Sequence, residues 1–210
     1  MNKEEMEKIY GKMSLDEIPW NMETAPEAIT ELVESGKVKA CKTIDLGCGA
    51  GNYAIYFAGK GFDVTGLDIS RSAIKIARAN AKKKEAKCCF IAADVLGDLK
   101  LIKEPFDFAY DWELLHHIFP EQREQYVENL CRILKPGGKH LSVCFSEKDK
   151  QFGRTGKYRE THLGTILYFS SEEEIRALYE PFFNIIELKT IEIRGKYAPH
   201  FAVSAFMERK

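Results

Sequence analysis

The chain has 210 residues, is 45% hydrophobic and 30% charged, and sets 31 Lys and Arg against 32 Asp and Glu for a formal net charge of −1. That length suits one domain with a sizeable core, and the composition is ordinary for a globular protein. A near-neutral balance argues against a general nucleic-acid or membrane surface, because binding phosphates needs a basic field.

Residues 3–12 read as a short polar helix carrying Ile9 and Tyr10. Residues 27–35 read as a second helix with Ile29, Leu32 and Val33 on one face, stopped at Gly36. A first strand is expected over 42–46, a helix over 51–59 and a second strand over 63–67. Ser70 is a good N-cap for a helix running to about Lys83, with Lys82-Lys83-Lys84 as its solvated, dipole-compatible end. Strands follow at 88–92 and 106–110. Pro120 opens a helix bearing Tyr126, Val127, Leu130 and Ile133. Pro136-Gly137-Gly138 is a turn before a fifth strand at 141–145. Residues 146–169 are the least regular stretch. Ser170-Ser171 with Glu173 and Glu174 starts a helix through about Tyr179, and strands are expected at 183–193 and 201–207.

The most informative stretch is Thr43 to Asn52, an apolar run that ends in Asp45 and is followed by Gly47, Gly49 and Gly51. Asp68, at the end of the second strand, can accept both hydroxyls of a ribose. Strand, glycine turn, helix and acid-tipped strand make the nucleoside-binding half of an open α/β sheet. A dinucleotide fingerprint needs G-x-G-x-x-G with pyrophosphate on the helix N-terminus. Here the third glycine falls one residue early and Asn52 stands where that fingerprint wants glycine. Asp45 would repel a pyrophosphate but suits a cationic ligand, so the loop favours S-adenosyl-L-methionine (SAM) over NAD.

Ile44-Asp45-Leu46-Gly47-Cys48-Gly49-Ala50-Gly51 resembles the first motif of class I SAM-dependent methyltransferases. Leu67-Asp68-Ile69-Ser70, Ala92-Ala93-Asp94-Val95, Phe106 to Asp111, and Leu134 to Lys139 resemble its ribose, adenine, fourth-strand and fifth-strand motifs, in family order over about residues 40–145. Pro19-Trp20, Pro26 and Asp111 to His116 resemble the thiopurine, thiol and tellurite methyltransferase branch. Trp112 and Glu113 depart from that branch, where a small residue or Arg and then Gly usually follow the acid. The resemblance implies a Rossmann-like seven-stranded sheet in order 3-2-1-4-5-7-6, with strand 7 antiparallel and helices on both faces. It also implies one domain over 1–210, with residues 1–40 as a helical lid, 41–145 as the cofactor half and 146–210 as the substrate side.

On this reading Asp45 fixes the methionine ammonium, and Gly47, Cys48 and Gly49 lie against the methionine and ribose, with Asn52 ending the loop. Asp68 takes the ribose hydroxyls and Ile69 the adenine face. Asp94 and Val95 read the adenine edge. Asp111 lies near the sulfonium and Trp112 walls the methyl site. Trp20 covers the cofactor, where an aromatic face suits a sulfonium; Tyr10 is a weaker candidate for that lid. His116 is the expected general base, and the catalytic pair is Asp111 and His116. The 146–169 loop, with Phe152, Arg154, Lys157, Tyr158, Arg159, His162 and Phe169, is a candidate acceptor pocket.

The function expected is methyl transfer from SAM, giving S-adenosyl-L-homocysteine, to a small-molecule acceptor such as a thiol or another heteroatom. A non-catalytic SAM-binding sensor or partner subunit, and less favourably an NAD-linked oxidoreductase, are the alternatives. No metal site is expected: the six cysteines show no C-x-x-C and read as buried free thiols. The N-terminus lacks the apolar core of a signal peptide and no run is long enough to span a membrane, so a cytoplasmic chain is expected.

Overall fold

The computed structural model describes residues 2–153 and 156–210. Arg154, named above in the loop, lies outside the described residues. The chain runs α1 (Lys3–Lys12), α2 (Glu27–Glu34), β1 (Lys42–Leu46), α3 (Asn52–Gly59), β2 (Asp63–Asp68), α4 (Arg71–Lys83), β3 (Cys88–Ala92) and β4 (Phe106–Trp112). A 3-10 turn at Leu115–His117 leads to α5 (Pro120–Ile133) and β5 (Leu134–Phe145). After a hairpin of β6 (Tyr158–Glu160) and β7 (Ile166–Tyr168) come α6 (Glu172–Tyr179), β8 (Phe183–Ile193) and β9 (His200–Arg209).

Seven strands form one sheet in the order β3-β2-β1-β4-β5-β9-β8. The first five are parallel, and β9 runs antiparallel to both β5 and β8. With β8 and β9 as the sixth and seventh strands of this sheet, that is the expected order. The glycines at 137 and 138 do not end pairing: β5 is continuous from Leu134, and a bulge opposite Phe106–Phe108 absorbs the turn.

Strand alternation divides the core into two layers. Phe108, Tyr110, Trp112, Leu141, Val143 and Phe145 face α2, α3 and α4 on one side. Ile44, Leu46, Ala109, Cys144, Val203 and Met207 face α5 and α6 on the other. Helix starts obey local chemistry. Ser70 Oγ accepts from Ala73 N at 3.1 Å, and Ser171 and Glu174 form a reciprocal capping box on α6.

The β6–β7 hairpin replaces the irregular loop expected there. Arg159 explains its stability: the guanidinium is buried, donates to the carbonyls of Glu147, Asp149, Gln151 and Gly156, and lies 4.0 Å over the Phe169 ring. The cysteines are free thiols; Cys48 and Cys144 are buried as expected, whereas Cys41, Cys88 and Cys131 are half-buried and Cys89, on the edge strand β3, is exposed. Among the described residues no helix is long and apolar enough to cross a membrane.

Candidate active site

A cavity of about 380 Å³ lies at the carboxyl ends of β1, β2, β4 and β5, beneath the N-terminal segment. This is where ligands bind in open α/β sheets. Trp20, Asp45, Gly47, Cys48, Gly49, Asn52, Asp68, Trp112 and His116 all line it.

The glycine loop is tight. The N–H groups of Gly47 and Cys48 both donate to Leu67 O, at 2.8 and 2.9 Å. Gly49 has a positive φ of 51°, and a Cβ there would lie 2.4 Å from Tyr10 Oη. Gly51, at φ 79°, is the N-cap of α3, and a Cβ there would lie 2.9 Å from Ala77 Cβ. Any side chain at either position would be strained and would collide. Asp68 Oδ2 accepts from Gly49 N at 2.9 Å and Oδ1 from Ser70 N at 2.8 Å. Burial nevertheless holds its carboxyl above the ordinary value. Ser70 Oγ in turn donates to Glu7 at 2.7 Å, joining this strand tip to α1.

Asp45 is 3% exposed, and its Oδ2 has no hydrogen-bond partner. Burial, with the like charges of Asp68 and Asp111, pushes its pKa up to about 7. Asp45 lines the cavity opposite Tyr110 in the β1–β4 register, and its carboxylate carries the charge that a cationic ammonium would offset. The residues present therefore fit SAM.

The N-terminal segment is tied to the sheet side from two directions. Asn52 Nδ2 donates to Asn21 Oδ1 at 2.9 Å and to Met22 O at 3.0 Å. Lys196 Nζ donates to Ile18 O at 3.1 Å. Trp20 Nε1 donates to Tyr10 Oη at 2.9 Å, and its ring meets Tyr10 and His117 edge-on. Asn52 thus ties down the segment at Asn21 and Met22. Trp20→Ala should weaken SAM binding roughly tenfold, or about 1.4 kcal/mol. Calorimetry reads this directly, and wild-type affinity in the variant would remove Trp20 from the cofactor site.

Four expected residues do not line the cavity. Asp111 sits on the opposite face of β4 from Trp112, because successive strand side chains alternate. It is fully buried, accepts from Tyr126 Oη at 2.9 Å and Ser142 Oγ at 3.1 Å, and lies 3.2 Å from His140 Nε2. Its carboxylate is thus engaged inside the α5–α6 layer, which corrects its expected place beside the sulfonium. Ile69 packs with Met6, Ile9 and Ile18 under α1. Val95 is buried with its carbonyl accepting from Asn129. Asp94 is exposed at the tip of β3 and accepts from Leu96 N.

His116 lines the cavity, stacked on Phe145 with centroids 4.3 Å apart. Burial lowers its pKa well below the ordinary value, so the ring is neutral. Its Nδ1 accepts from Phe145 N at 3.4 Å, which leaves the proton on Nε2.

The structure also adds residues. Glu113 lines the cavity with φ at 63°, and burial raises its carboxyl to about 7. Such strain in a non-glycine residue concentrates at functional sites. Tyr53, His117, Phe152, His162 and His200 complete the far end. Trp112-Glu113 and the 146–169 loop, with Phe152 and His162, were the signals of this end in the sequence; nothing local marks His200.

The geometry is that of a protein built around a nucleoside ligand. Residues 44–138 match the methyltransferase domain family. Similar curated proteins include the 2-heptyl-1-hydroxyquinolin-4(1H)-one methyltransferase of Mycobacteroides abscessus, 29% identical over 61% of this chain and 56% of that protein. Thiocyanate methyltransferase 1 of Brassica oleracea is 28% identical over 64% of this chain and 60% of its own length. The match therefore spans less than two thirds of these relatives. Among solved structures, a SAM-dependent methyltransferase from Anabaena variabilis has a TM-score of 0.79 at 21% identity, covering 100% of this chain and 96% of that one. A structure solved for the conversion of a disulfide bond into a thioacetal group during echinomycin biosynthesis has a TM-score of 0.84 at 24% identity, covering 99% and 92%. At those identities the likeness is one of fold. Over residues 44–138 the chain thus matches a methyltransferase domain, and its fold is the one seen in these solved methyltransferase structures.

Proposed function

We propose that this chain transfers the SAM methyl group to a heteroatom of a small-molecule acceptor. One observation carries the reading: the cavity lined by Asp45 and Asp68 is also lined by Trp112, His117, Phe152 and His200. It brings Asp45, Asp68 and the glycine loop together with aromatic and imidazole side chains suited to a small acceptor. Asp45 holds the ammonium, Asp68 the ribose hydroxyls, and Tyr10 with Trp20 covers them. When bound, SAM supplies a methyl carbon that the acceptor lone pair takes as the methyl–sulfur bond breaks, its pair staying on sulfur. The protein positions the acceptor in line and excludes water. His116 offers an N–H rather than a lone pair, which suits orienting the acceptor. The thiocyanate and hydroxyquinolone relatives support a heteroatom acceptor, and the branch resemblance favours a thiol.

The test is calorimetric titration with SAM, S-adenosylhomocysteine and NAD, followed by transfer of labelled methyl to thiols, phenols and amines. Binding of the first two with transfer to one acceptor class is expected. SAM binding without transfer to any of them would favour a sensor, and NAD binding alone would overturn the cofactor.

A further inference from the structure

We propose that His200, held by Asp149, is the base that takes the acceptor proton, and that the acceptor therefore carries an ionisable X–H group such as a thiol or phenol. This rests on the methyl-transfer reading above. His200 opens β9 and lines the cavity, and Asp149 follows β5, 51 residues earlier. The two meet with Nδ1 3.2 Å from Asp149 Oδ2.

Asp149 is built to remain a carboxylate. It is 3% exposed, and burial alone would raise its pKa. His200 and the backbone N–H groups of Gln151 and Phe201, each at 2.6 Å, more than offset that and hold it below the ordinary value. Arg159 donates to the Asp149 carbonyl and fixes the segment that carries it. A carboxylate can only accept, so Nδ1 must be the donor, and the neutral ring keeps its lone pair on Nε2.

The ring is fixed as well as tautomerised. It packs against Phe145 and Phe152, with centroids 4.7 and 5.7 Å away. A Cβ at Gly195 would lie 2.7 Å from Cδ2 and 3.1 Å from Nε2, so only glycine fits beside that edge of the ring. Asp149, Glu113 and His116 act on the ring electrostatically, and His162, against the same Phe152 ring, and Lys196 also line the cavity. His116, with its proton on Nε2, has the opposite polarity and cannot take this role while it accepts from Phe145.

In the step, the proton leaves X–H for Nε2 and the electron pair of that bond stays on X. The imidazolium formed pairs with Asp149 and later returns its proton to solvent. His200 thus acts on the acceptor directly, and Asp149 positions it.

Two measurements test this. Long-range ¹H–¹⁵N correlation on histidine-labelled protein, assigned with His200→Gln, should show the Nδ1–H tautomer in the wild type and its loss in Asp149→Asn. An Nε2–H ring would overturn the proposal whatever the enzyme turns over. Paired acceptors give the second readout. For an alkyl thiol, protonated at pH 7, both variants should lower kcat/KM by 100-fold or more. For an electron-poor aryl thiol, already ionised at that pH, the loss should be under fivefold. Equal losses would make the pair structural only. A wild type that methylates neither acceptor would count against the methyl-transfer reading, while the tautomer still decides whether His200 is poised as a base.

Discussion

Asp45→Asn should make the ligand-free protein more stable at pH 8 and a poorer SAM binder at the same time. The folded protein holds Asp45 at about 7 against an ordinary 3.8, chiefly through burial. A carboxyl raised on folding favours its neutral form. Its contribution is fully present below about 3.8 and is lost as pH rises through about 7. At ~1.36 kcal/mol per pH unit, the burden of keeping it ionised above pH 7 is on the order of 4 kcal/mol. Asn is neutral at every pH and nearly isosteric, so a gain of about 2–4 kcal/mol at pH 8 and little at pH 4 is expected. The SAM ammonium reverses the preference, since it binds the carboxylate and not the amide. SAM affinity of the wild type should climb from pH 5.5 to 8, and the variant should lose tenfold or more of it with a flat profile. Thermal unfolding and calorimetry across that range read both halves. A wild type more stable than the variant at pH 8 without ligand would sink the argument, as would an affinity for SAM that ignores the substitution.

Asp68→Ala carries the second large effect. Its two oxygens hold the N–H groups of Gly49 and Ser70, and both would be left without a charged acceptor. Each such bond is worth about 1.5–3 kcal/mol, and relief of the burial that holds this carboxyl above its ordinary value offsets part of the sum, so unfolding should require about 2–4 kcal/mol less. Loss of the ribose contact should weaken SAM by a further 1–3 kcal/mol or so. Asp68→Asn should fall between, because an amide oxygen can still serve one of the two donors. Denaturant titration gives the first number and calorimetry the second. Unchanged SAM affinity in a folded Asp68→Ala protein would refute the ribose role and leave Asp68 as a loop anchor.

Much of this architecture was legible in the residues. Apolar runs ending in Asp45 and Asp68, the glycines between them and the Ser70 cap mark out β1, α3, β2 and α4 by local chemistry alone. The strand order came only from family resemblance, since no local rule sets which strands pair. The β6–β7 hairpin was missed because three-residue strands are too short for alternation to show. The buried Arg159 that stabilises it looks like any loop cation. Asp111 shows a different limit. Its place at a strand tip was readable, but which face it takes depends on register against β1 and β5, set by contacts the sequence does not display. His200 and Asp149 are two unremarkable residues until folding brings them together.

The alternation along β4 couples the two layers of the core in a way that reaches beyond packing. Asp111, with Tyr126 and Ser142, forms a polar clamp on one side of the sheet, and Trp112, one residue on, walls the cavity from the other. A one-residue slip of β4 would carry the tryptophan into the clamp and the acid into the cavity. The buried clamp is therefore a registration key, and the shape of the reaction chamber is secured by side chains that never touch it.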